Sequence, residues 1–326
     1  MKIVFLSRLS RDWLAQIQIL QEEFKHDLFI TDPFEAEKEL QTATAIVAGE
    51  IPLSVVQSAN HLEIIFVPYA GIDGLPMPYI KAHDIRIANV HANAPYVAER
   101  AIAMALCFYG KMIEYHQDLK SFKWHGFWAG GGLTDTWNSI RGKACTVIGA
   151  GEIGKQIAKL LKAFECTVIG FKRRPVRILP DHFDEITLNI EEAIAKAELI
   201  FVSLPLTNET RGIIGRPQLM QMKEKFLVNV GRGEIINESA LYEALKAGVL
   251  KGAAIDAWYA YPDKGGTEIA PSAYPFHELP NVILSPHVAG FTPESAKLNI
   301  AQTIENIRAY LKTGRAIYEV DKNRMY

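Results

Sequence analysis

The segment with the clearest chemical signature is a glycine turn, Gly149-Ala150-Gly151-Glu152-Ile153-Gly154. An apolar run precedes it, and Lys155–Ala163 follows with the pattern of a helix. In such a turn the first glycine allows a tight bend, the second lets the backbone approach a pyrophosphate, and the third lets helix and strand pack closely. The N–H groups at the helix start would then face the phosphates. The spacing predicts a dinucleotide site, with a purely structural glycine turn as the alternative.

A basic run stands where NAD sites usually place an acidic residue. That residue is expected about 20 residues after the turn, to accept hydrogen bonds from the ribose hydroxyls. Here the position falls at Lys172, followed by Arg173 and Arg174, with no carboxylate in the run. Guanidinium groups suit a 2′-phosphate, so the run predicts NADP as the preferred cofactor, with NAD possible. Arg173 and Arg174 are the expected main contacts, and an exposed basic turn that touches no cofactor is the alternative.

Four stretches in the second half resemble the D-isomer-specific 2-hydroxyacid dehydrogenase family, and its glyoxylate and hydroxypyruvate reductases in particular. They are Val202–Gly212, Val228–Gly233, Gly252–Asp256 and Asn281–Gly290, in the family's order. The resemblance implies an α/β protein of two Rossmann-like or flavodoxin-like βα domains with doubly wound parallel sheets. The active site would lie in the cleft between them, and the reaction would move a hydride between NADP(H) and a small 2-oxo or 2-hydroxy acid. It also implies that the cofactor is lined from neighbouring strand ends by Leu204, Pro205, Thr210, Val230, Gly231, Asp256 and Gly290.

Two side chains in these stretches have the chemistry that such a reduction needs. Arg232 carries a permanent planar cation, which can pair with the substrate carboxylate and polarise the keto oxygen. His287 can give or take a proton near neutral pH. By resemblance these residues are the family's substrate arginine and its acid/base histidine. A structural ion pair and a buried core histidine are the respective alternatives.

The family also folds a loop of its smaller domain over the substrate carboxylate. Here that loop corresponds to Pro68–Asp73, so Tyr69, Ala70 and Gly71 are expected to bind substrate, unless the segment is only a structural turn. Gly71 would permit close approach of the backbone. Tyr69 and Trp258 are further expected to line the pocket for the substrate's side chain.

The chain departs from the family pattern at Tyr261. Most members pair the histidine with a glutamate at this place, and no glutamine, as in the related formate dehydrogenases, stands here either. A carboxylate would stabilise the protonated ring, whereas a neutral phenol orients the ring and adds little charge stabilisation. We therefore expect Tyr261 to act beside His287 and the pH profile to shift toward acid relative to the family. Glu268, folding back from a nearby insertion, is an alternative partner.

Short β-branched runs alternate with amphipathic stretches along the chain, which is typical of parallel α/β layers. The first series predicts strands at Ile3–Leu6, Leu28–Thr31, Ala45–Ala48, Ile64–Val67 and Ile85–Ala88. After one long helix over Tyr96–Leu119, the second predicts Cys145–Gly149, Thr167–Phe171, Leu199–Leu204, Phe226–Val230, Ala253–Asp256 and Val282–Leu284. The last helix, about Pro293–Thr313, should return to the first domain. We thus expect a substrate domain of residues 1–98 with 290–326, and a dinucleotide domain of residues 99–289.

A dimerisation helix and arm, residues about 96–137, stand outside both series. The arm carries Trp124, Phe127, Trp128 and Trp137 among glycines. Exposed aromatic residues on an irregular segment are typical of interfaces, so we expect a homodimer, with an arm folded onto its own subunit as the alternative.

Composition limits the remaining possibilities. A chain of 326 residues with 49% hydrophobic residues can fill two cores. Its net charge of −2 disfavours nucleic-acid and membrane partners. Three scattered cysteines lack metal-site spacing and suggest reduced thiols, hence a cytoplasmic protein without a metal. Two other functions stay open: a nicotinamide-sensing regulator of the same fold, and an anion dehydrogenase of the formate or phosphite type.

Overall fold

The computed structural model describes residues 1–6, 9–25, 29–31, 39–263 and 266–322. These residues form two compact units. The first unit consists of Met1–Asn93 with Phe291–Tyr326, and the second of Ala94–Gly290.

The regular elements alternate along the chain as the sequence pattern predicts. In chain order they are β1 (Lys2–Phe5), α1 (Arg11–Glu23), β2 (Phe29–Thr31), β3 (Ala45–Val47), α2 (Leu53–Ser58), β4 (Ile64–Phe66), α3 (Met77–Ala82), β5 (Arg86–Ala88), α4 (Ala94–Tyr109) and α5 (Met112–Lys120). They continue as β6 (Ala144–Ile148), α6 (Glu152–Ala163), β7 (Thr167–Phe171), β8 (Glu185–Thr187), α7 (Ile190–Ala195), β9 (Leu199–Val202), α8 (Arg216–Gln221), β10 (Phe226–Asn229), α9 (Glu238–Lys246), β11 (Gly252–Ile255), β12 (Val282–Leu284) and α10 (Pro293–Thr313). Leu28, in the predicted second strand, lies outside the described residues.

The first unit is built on a parallel sheet in the order β2-β1-β3-β4-β5. One face packs against α1 and α10, where Leu20, Ile304 and Ile307 are buried with Phe66. The other face packs against Val56 and Ile80 of α2 and α3. Both faces are covered, which is why these strands are almost wholly apolar.

The second unit contains a larger parallel sheet in the order β12-β11-β10-β9-β6-β7-β8. Apolar clusters cover both of its faces, one around Phe201 and Phe226 and the other around Ile200 and Leu227. The predicted α/β class with two doubly wound parallel sheets is therefore confirmed. The prediction of six strands missed β8, a three-residue edge strand that includes the polar Glu185 and Thr187 and so lacks an apolar run.

The predicted long helix over Tyr96–Leu119 is wrong, because the chain forms two helices there. Lys111 adopts a left-handed backbone with φ 50° and lies between α4 and α5. The Tyr109 carbonyl accepts a hydrogen bond from the Asn138 N–H at 2.8 Å. Because this carbonyl is already satisfied by a donor outside the helix, it does not require an N–H from a further helical turn, and the helix ends here. The boundary between the two units falls before α4 rather than inside it near Ala98.

The last helix has the bounds that its sequence pattern predicts, Pro293–Thr313. Thr292 caps its first turn by accepting from the Ser295 N–H, and Gly314 ends it with φ 72°. Within the described ranges, no helix is both long enough and apolar enough to cross a membrane.

Candidate active site

The residues predicted to carry chemistry in the second unit follow the carboxyl ends of its strands. Because every strand pair in this sheet is parallel, those ends share one edge. In spatial order the segments after β12, β11, β10, β9, β6 and β7 contain His287, Asp256, Arg232, Leu204, the glycine turn and the basic run. Strand order reverses at β6, and ligands of open α/β sheets bind outside the carboxyl ends at such a switch point.

The glycine turn has the geometry that pyrophosphate binding requires. Gly149 has φ +113°, and a Cβ there would lie 2.9 Å from the Leu204 backbone nitrogen. A Cβ on Gly154 would lie 2.2 Å from the Gly149 carbonyl oxygen, so only glycine lets α6 pack this closely. By contrast, a Cβ on Gly151 would meet no atom of the described residues within 4 Å. Gly151 is the N-cap of α6, whose first-turn N–H groups lack intrahelical partners, so the open side of the turn suits an anion.

The basic run after β7 contacts an acidic residue that the sequence did not predict. The Lys172 N–H continues the ladder by donating to the Thr187 carbonyl at 3.1 Å, and Arg174 is exposed. The Arg173 guanidinium forms an ion pair with Glu209, which stands in the loop after β9. Arg173 is thus held at this edge by a carboxylate from a different strand's loop.

A buried asparagine fixes the backbone on both sides of Arg232. The Asn229 side chain is 1% exposed; its Oδ1 accepts from the Gly231 N–H, and its amide donates to the Arg232 carbonyl, both at 3.1 Å. The Arg232 guanidinium donates to the Gly231 carbonyl at 3.0 Å. A Cβ on Gly231 would lie 2.9 Å from the Leu204 carbonyl oxygen, so the loops after β9 and β10 pack closely. Asn229 was missed because an amide at a strand end has no distinctive sequence signal.

The loop that carries His287 is held by the carboxylate of Asp256. This residue is 1% exposed; its Oδ1 accepts from the Ser285 hydroxyl at 2.5 Å and from the Val288 N–H at 3.0 Å. Its Oδ2 accepts from the Ala289 N–H at 3.0 Å. His287 lies between these donors with φ 55°, a left-handed conformation that is unfavourable for a residue with a Cβ. Hydrogen bonds to an ionised acceptor are strong enough to stabilise that conformation.

Ser285 connects this loop to two further side chains. Arg100 on α4 donates to the Ser285 hydroxyl at 3.2 Å, and the Trp258 indole donates to the Ser285 carbonyl at 2.8 Å. Trp258 is 5% exposed and packs edge-on against Phe276. Trp258 therefore has a structural role in supporting the histidine loop, and its place in the substrate pocket stays a prediction.

Tyr261 lies beside His287, as its place in the sequence predicts. The two ring centroids are 5.1 Å apart with planes tilted by 45°. The Tyr261 hydroxyl accepts from the Trp258 N–H at 2.9 Å, so the phenol oxygen is anchored to the backbone of its own loop. Burial also raises the pKa of nearby Tyr259, whose hydroxyl donates to the Ile236 carbonyl, so this second phenol stays neutral.

The remaining predicted cofactor residues line the loops at the same edge. Thr210 is fully buried, and its hydroxyl donates to the Pro205 carbonyl at 2.6 Å and accepts from the Thr207 N–H at 2.8 Å. Its predicted effect on the cofactor would therefore act through the shape of this turn. Leu204 and Val230 are each 6% exposed at the ends of β9 and β10, and Gly290 closes the histidine loop.

The predicted substrate loop belongs to the first unit and follows β4. The Asn89 amide donates to the Ala70 carbonyl at 2.8 Å, which anchors the loop to the segment after β5. The Tyr69 ring occupies the space that a Cβ on Gly49 would need. The roles of Tyr69, Ala70 and Gly71 toward the substrate stay predictions.

The aromatic arm of the second unit is held by an ion-pair cluster. His125 lies between Asp118 and Asp135, with nitrogen–oxygen distances of 2.6 and 3.0 Å, and stacks on Tyr115. The two carboxylates, Asp118 more strongly, raise the pKa of His125 above its usual value. Beyond this cluster Phe127 and Trp128 are 85% and 84% exposed.

Comparison with known families identifies the chain's relatives. The family model for the NAD-binding domain of D-isomer-specific 2-hydroxyacid dehydrogenases matches residues 102–289, more than half of the chain. The chain belongs to this family. The predicted resemblance is thus confirmed, and the chain is an NAD(P)-dependent oxidoreductase of the class that acts on CH–OH groups.

Individual relatives match over most of the chain. Glycerate dehydrogenase of Methylorubrum extorquens is 27% identical over 95% of this chain and 96% of its own length. Glyoxylate/hydroxypyruvate reductase B of Pectobacterium carotovorum is 30% identical over 83% of each chain. An NADPH-dependent glyoxylate/hydroxypyruvate reductase from Sinorhizobium meliloti, solved with NADP and malonate, matches with a TM-score of 0.80. It is 24% identical over 98% of this chain and 97% of its own, so this likeness shows the shared fold.

The Asp256 contacts in this 2-hydroxyacid dehydrogenase predict the effect of Asp256→Asn. An amide keeps one acceptor oxygen and turns an NH2 group toward an existing donor, so at least one buried hydrogen bond is lost. We expect a loss of about 1–3 kcal/mol in the free energy of unfolding. Turnover should fall roughly 100-fold, because the His287 loop relaxes. Denaturant unfolding and steady-state kinetics measure the two effects. As a control, Ser285→Ala removes only the hydroxyl and should lower both the free energy of unfolding and the turnover by less. Full activity of Asp256→Asn would contradict this role.

Proposed function

We propose that this protein is an NADP-preferring 2-oxoacid reductase that transfers a hydride between NADP(H) and a small 2-oxo or 2-hydroxy acid. Arg232 binds the substrate carboxylate and keto oxygen, and His287 is the general acid/base. Glyoxylate, hydroxypyruvate and related acids are the proposed substrates.

The observation that carries this proposal is the shared edge of the second sheet. The glycine turn, Arg232 and His287 all follow carboxyl ends of its parallel strands, in one compact unit. A cation, a proton donor and a phosphate-binding turn are the three parts that reduction of an anionic keto acid requires.

The turn fits the dinucleotide that the family uses. The open space at Gly151 accommodates the pyrophosphate, and the first turn of α6 supplies backbone N–H donors. The rest of the dinucleotide would be lined by residues at the ends of β9 and β10, namely Leu204, Pro205, Val230 and Gly231. When bound, the reduced nicotinamide supplies the hydride.

Arg232 and His287 divide the remaining work. The guanidinium holds the carboxylate in a fixed orientation and stabilises negative charge on the keto oxygen as it forms. The protonated imidazole of His287 gives its proton to that oxygen, and takes it back in the oxidative direction. The proposed role of Tyr261 is to orient the imidazole by ring contact.

The preference for NADP rests on the run after β7. Lys172, Arg173 and Arg174 supply three cations where a ribose-binding carboxylate would otherwise stand. The Sinorhizobium meliloti relative has been solved with NADP, which supports the same choice here.

We also propose that the arm mediates a homodimer. Four apolar side chains of this arm are each more than 80% exposed: Phe122, Phe127, Trp128 and Leu133. Such a concentration of exposed apolar side chains is typical of interfaces.

The function is tested by mixing purified protein with NADPH or NADH and a panel of glyoxylate, hydroxypyruvate, pyruvate and phenylpyruvate. We expect consumption of NADPH to exceed that of NADH, since the 2′-phosphate gains charge-assisted contacts.

Replacing the catalytic imidazole in His287→Gln should reduce kcat about 10²–10⁴-fold. Arg232→Met should reduce kcat/KM by a similar factor, because it removes both the anchor and the polarising charge.

Absence of turnover with every acid, despite tight NADPH binding, would contradict the reductase proposal and favour a sensing role. Oxidation of formate or phosphite would instead place the protein among anion dehydrogenases.

We expect the substitution Tyr261→Glu to change the pH profile of the reduction. A carboxylate beside His287 stabilises the protonated imidazole, so the alkaline limb of kcat/KM should move to higher pH. Tyr261→Phe keeps the ring and removes the anchored hydroxyl, and should leave the position of that limb unchanged. Coinciding profiles for wild type and Tyr261→Glu would show that the tyrosine does not set the proton affinity of the site.

Replacing the exposed aromatics of the arm predicts loss of the dimer. In Phe127→Ser/Trp128→Ser the interface loses two large apolar side chains, and sedimentation velocity should show a monomer where the wild type sediments as a dimer. Leu53→Ser, at an exposed leucine of the first unit, is the control. A monomeric wild type, or a dimer that survives the double substitution, would refute this role of the arm.

A further inference from the structure

The ion pair between Arg173 and Glu209 places an acidic group in the predicted 2′-phosphate site. The basic run Lys172–Arg174 contains no carboxylate, yet Glu209 reaches Arg173 from the loop after β9. The Arg173 side chain is 16% exposed and that of Glu209 is 68% exposed. The cation is therefore largely covered, while the carboxylate remains open to solvent and to a ligand.

The turn that carries Glu209 is firmly held. Its neighbour Thr210 is fully buried, and the Thr210 hydroxyl bridges the Pro205 carbonyl and the Thr207 N–H at 2.6 and 2.8 Å. Pro205 and Leu204, in the same segment, are the residues proposed to line the cofactor. The backbone of Glu209 is thus fixed beside the cofactor path, and the carboxylate is presented to Arg173 by a structured turn.

This arrangement affects the two cofactors differently. A 2′-phosphate carries about −1.5 to −2 charges at neutral pH, so it must displace the Glu209 carboxylate from Arg173 or lie next to it. Both alternatives weaken NADP binding, by a lost ion pair or by repulsion between anions. The ribose of NAD carries hydroxyl donors in the same place, and a carboxylate accepts hydrogen bonds from them.

We propose that Glu209 is a specificity-determining residue that limits the preference for NADP over NAD by competing with the 2′-phosphate for Arg173. This inference rests on the proposed function, which assigns the basic run to the cofactor's adenosine end. From the loop after β9, Glu209 supplies the acidic group that is missing from the basic run after β7. This carboxylate makes NAD an acceptable second cofactor.

The test is the ratio of the dissociation constants for NADPH and NADH, measured by fluorescence titration of the whole protein. Glu209→Gln removes the charge and keeps the size of the side chain. We expect the dissociation constant for NADPH to fall on the order of fivefold, with that for NADH unchanged or slightly raised. The gain should shrink at high salt, because the Glu209 carboxylate is exposed and salt screens its charge. Glu243→Gln, at an exposed glutamate of α9, should change neither constant.

A double-mutant cycle tests the route through Arg173. In an Arg173→Gln background the NADPH gain from Glu209→Gln should be largely lost, since there is no guanidinium to release. An unchanged ratio in Glu209→Gln and in Glu209→Ala, or a shift toward NADH, would overturn the inference.

The two proposals fail differently. A wild type that binds NADH more tightly than NADPH overturns the proposed NADP preference, whereas the direction of the Glu209→Gln shift still tests the inference. A wild type that prefers NADPH, combined with no shift in Glu209→Gln, keeps the preference and overturns the role of Glu209.

Discussion

The direction of the strands is the constraint on which the site depends. In the second unit every paired strand runs parallel, so residues far apart in sequence leave the sheet at one edge. Gly149 and His287 are separated by most of the domain in sequence, and β9, β10 and β11 lie between their strands in the sheet. A parallel sheet needs helices on both faces, which explains the apolar clusters on each side. The same requirement leaves the strand ends as the place where polar chemistry can be exposed.

Strand direction brings the loops together, and buried polar side chains then set their conformations. Asp256 binds the donors around His287, and Asn229 binds both sides of Arg232. A buried carboxylate costs desolvation, which is offset here by three donors to its two oxygens. Asp256 and Asn229 need no contact with substrate. They fix the backbone around His287 and Arg232, which are proposed to contact it.

Those positioning roles mark the limit of what the sequence predicts. The glycine turn and the last helix were predictable because their signals are local: glycine spacing, a Thr cap and a closing glycine. The break at Lys111 depends on a hydrogen bond from Asn138, and the Arg173–Glu209 pair joins loops of different strands. The support that the Trp258 indole gives to the Ser285 carbonyl likewise joins residues that are distant in sequence. Contacts distant in sequence decide each of these cases, and no local pattern contains them.

The phenol at Tyr261 changes the charge of the proposed site as well as its shape. With a glutamate in that place, Arg232 and a protonated His287 would leave one net positive charge, whereas with tyrosine they leave two. A more positive site attracts an anionic substrate more strongly, and by the same electrostatics it releases the imidazole proton more readily. Binding of the carboxylate then restores part of the missing negative charge near His287. In the proposed site the substrate itself would take over some of the stabilisation that a protein carboxylate gives in the family pattern, so protonation of the histidine and binding of the acid would be coupled.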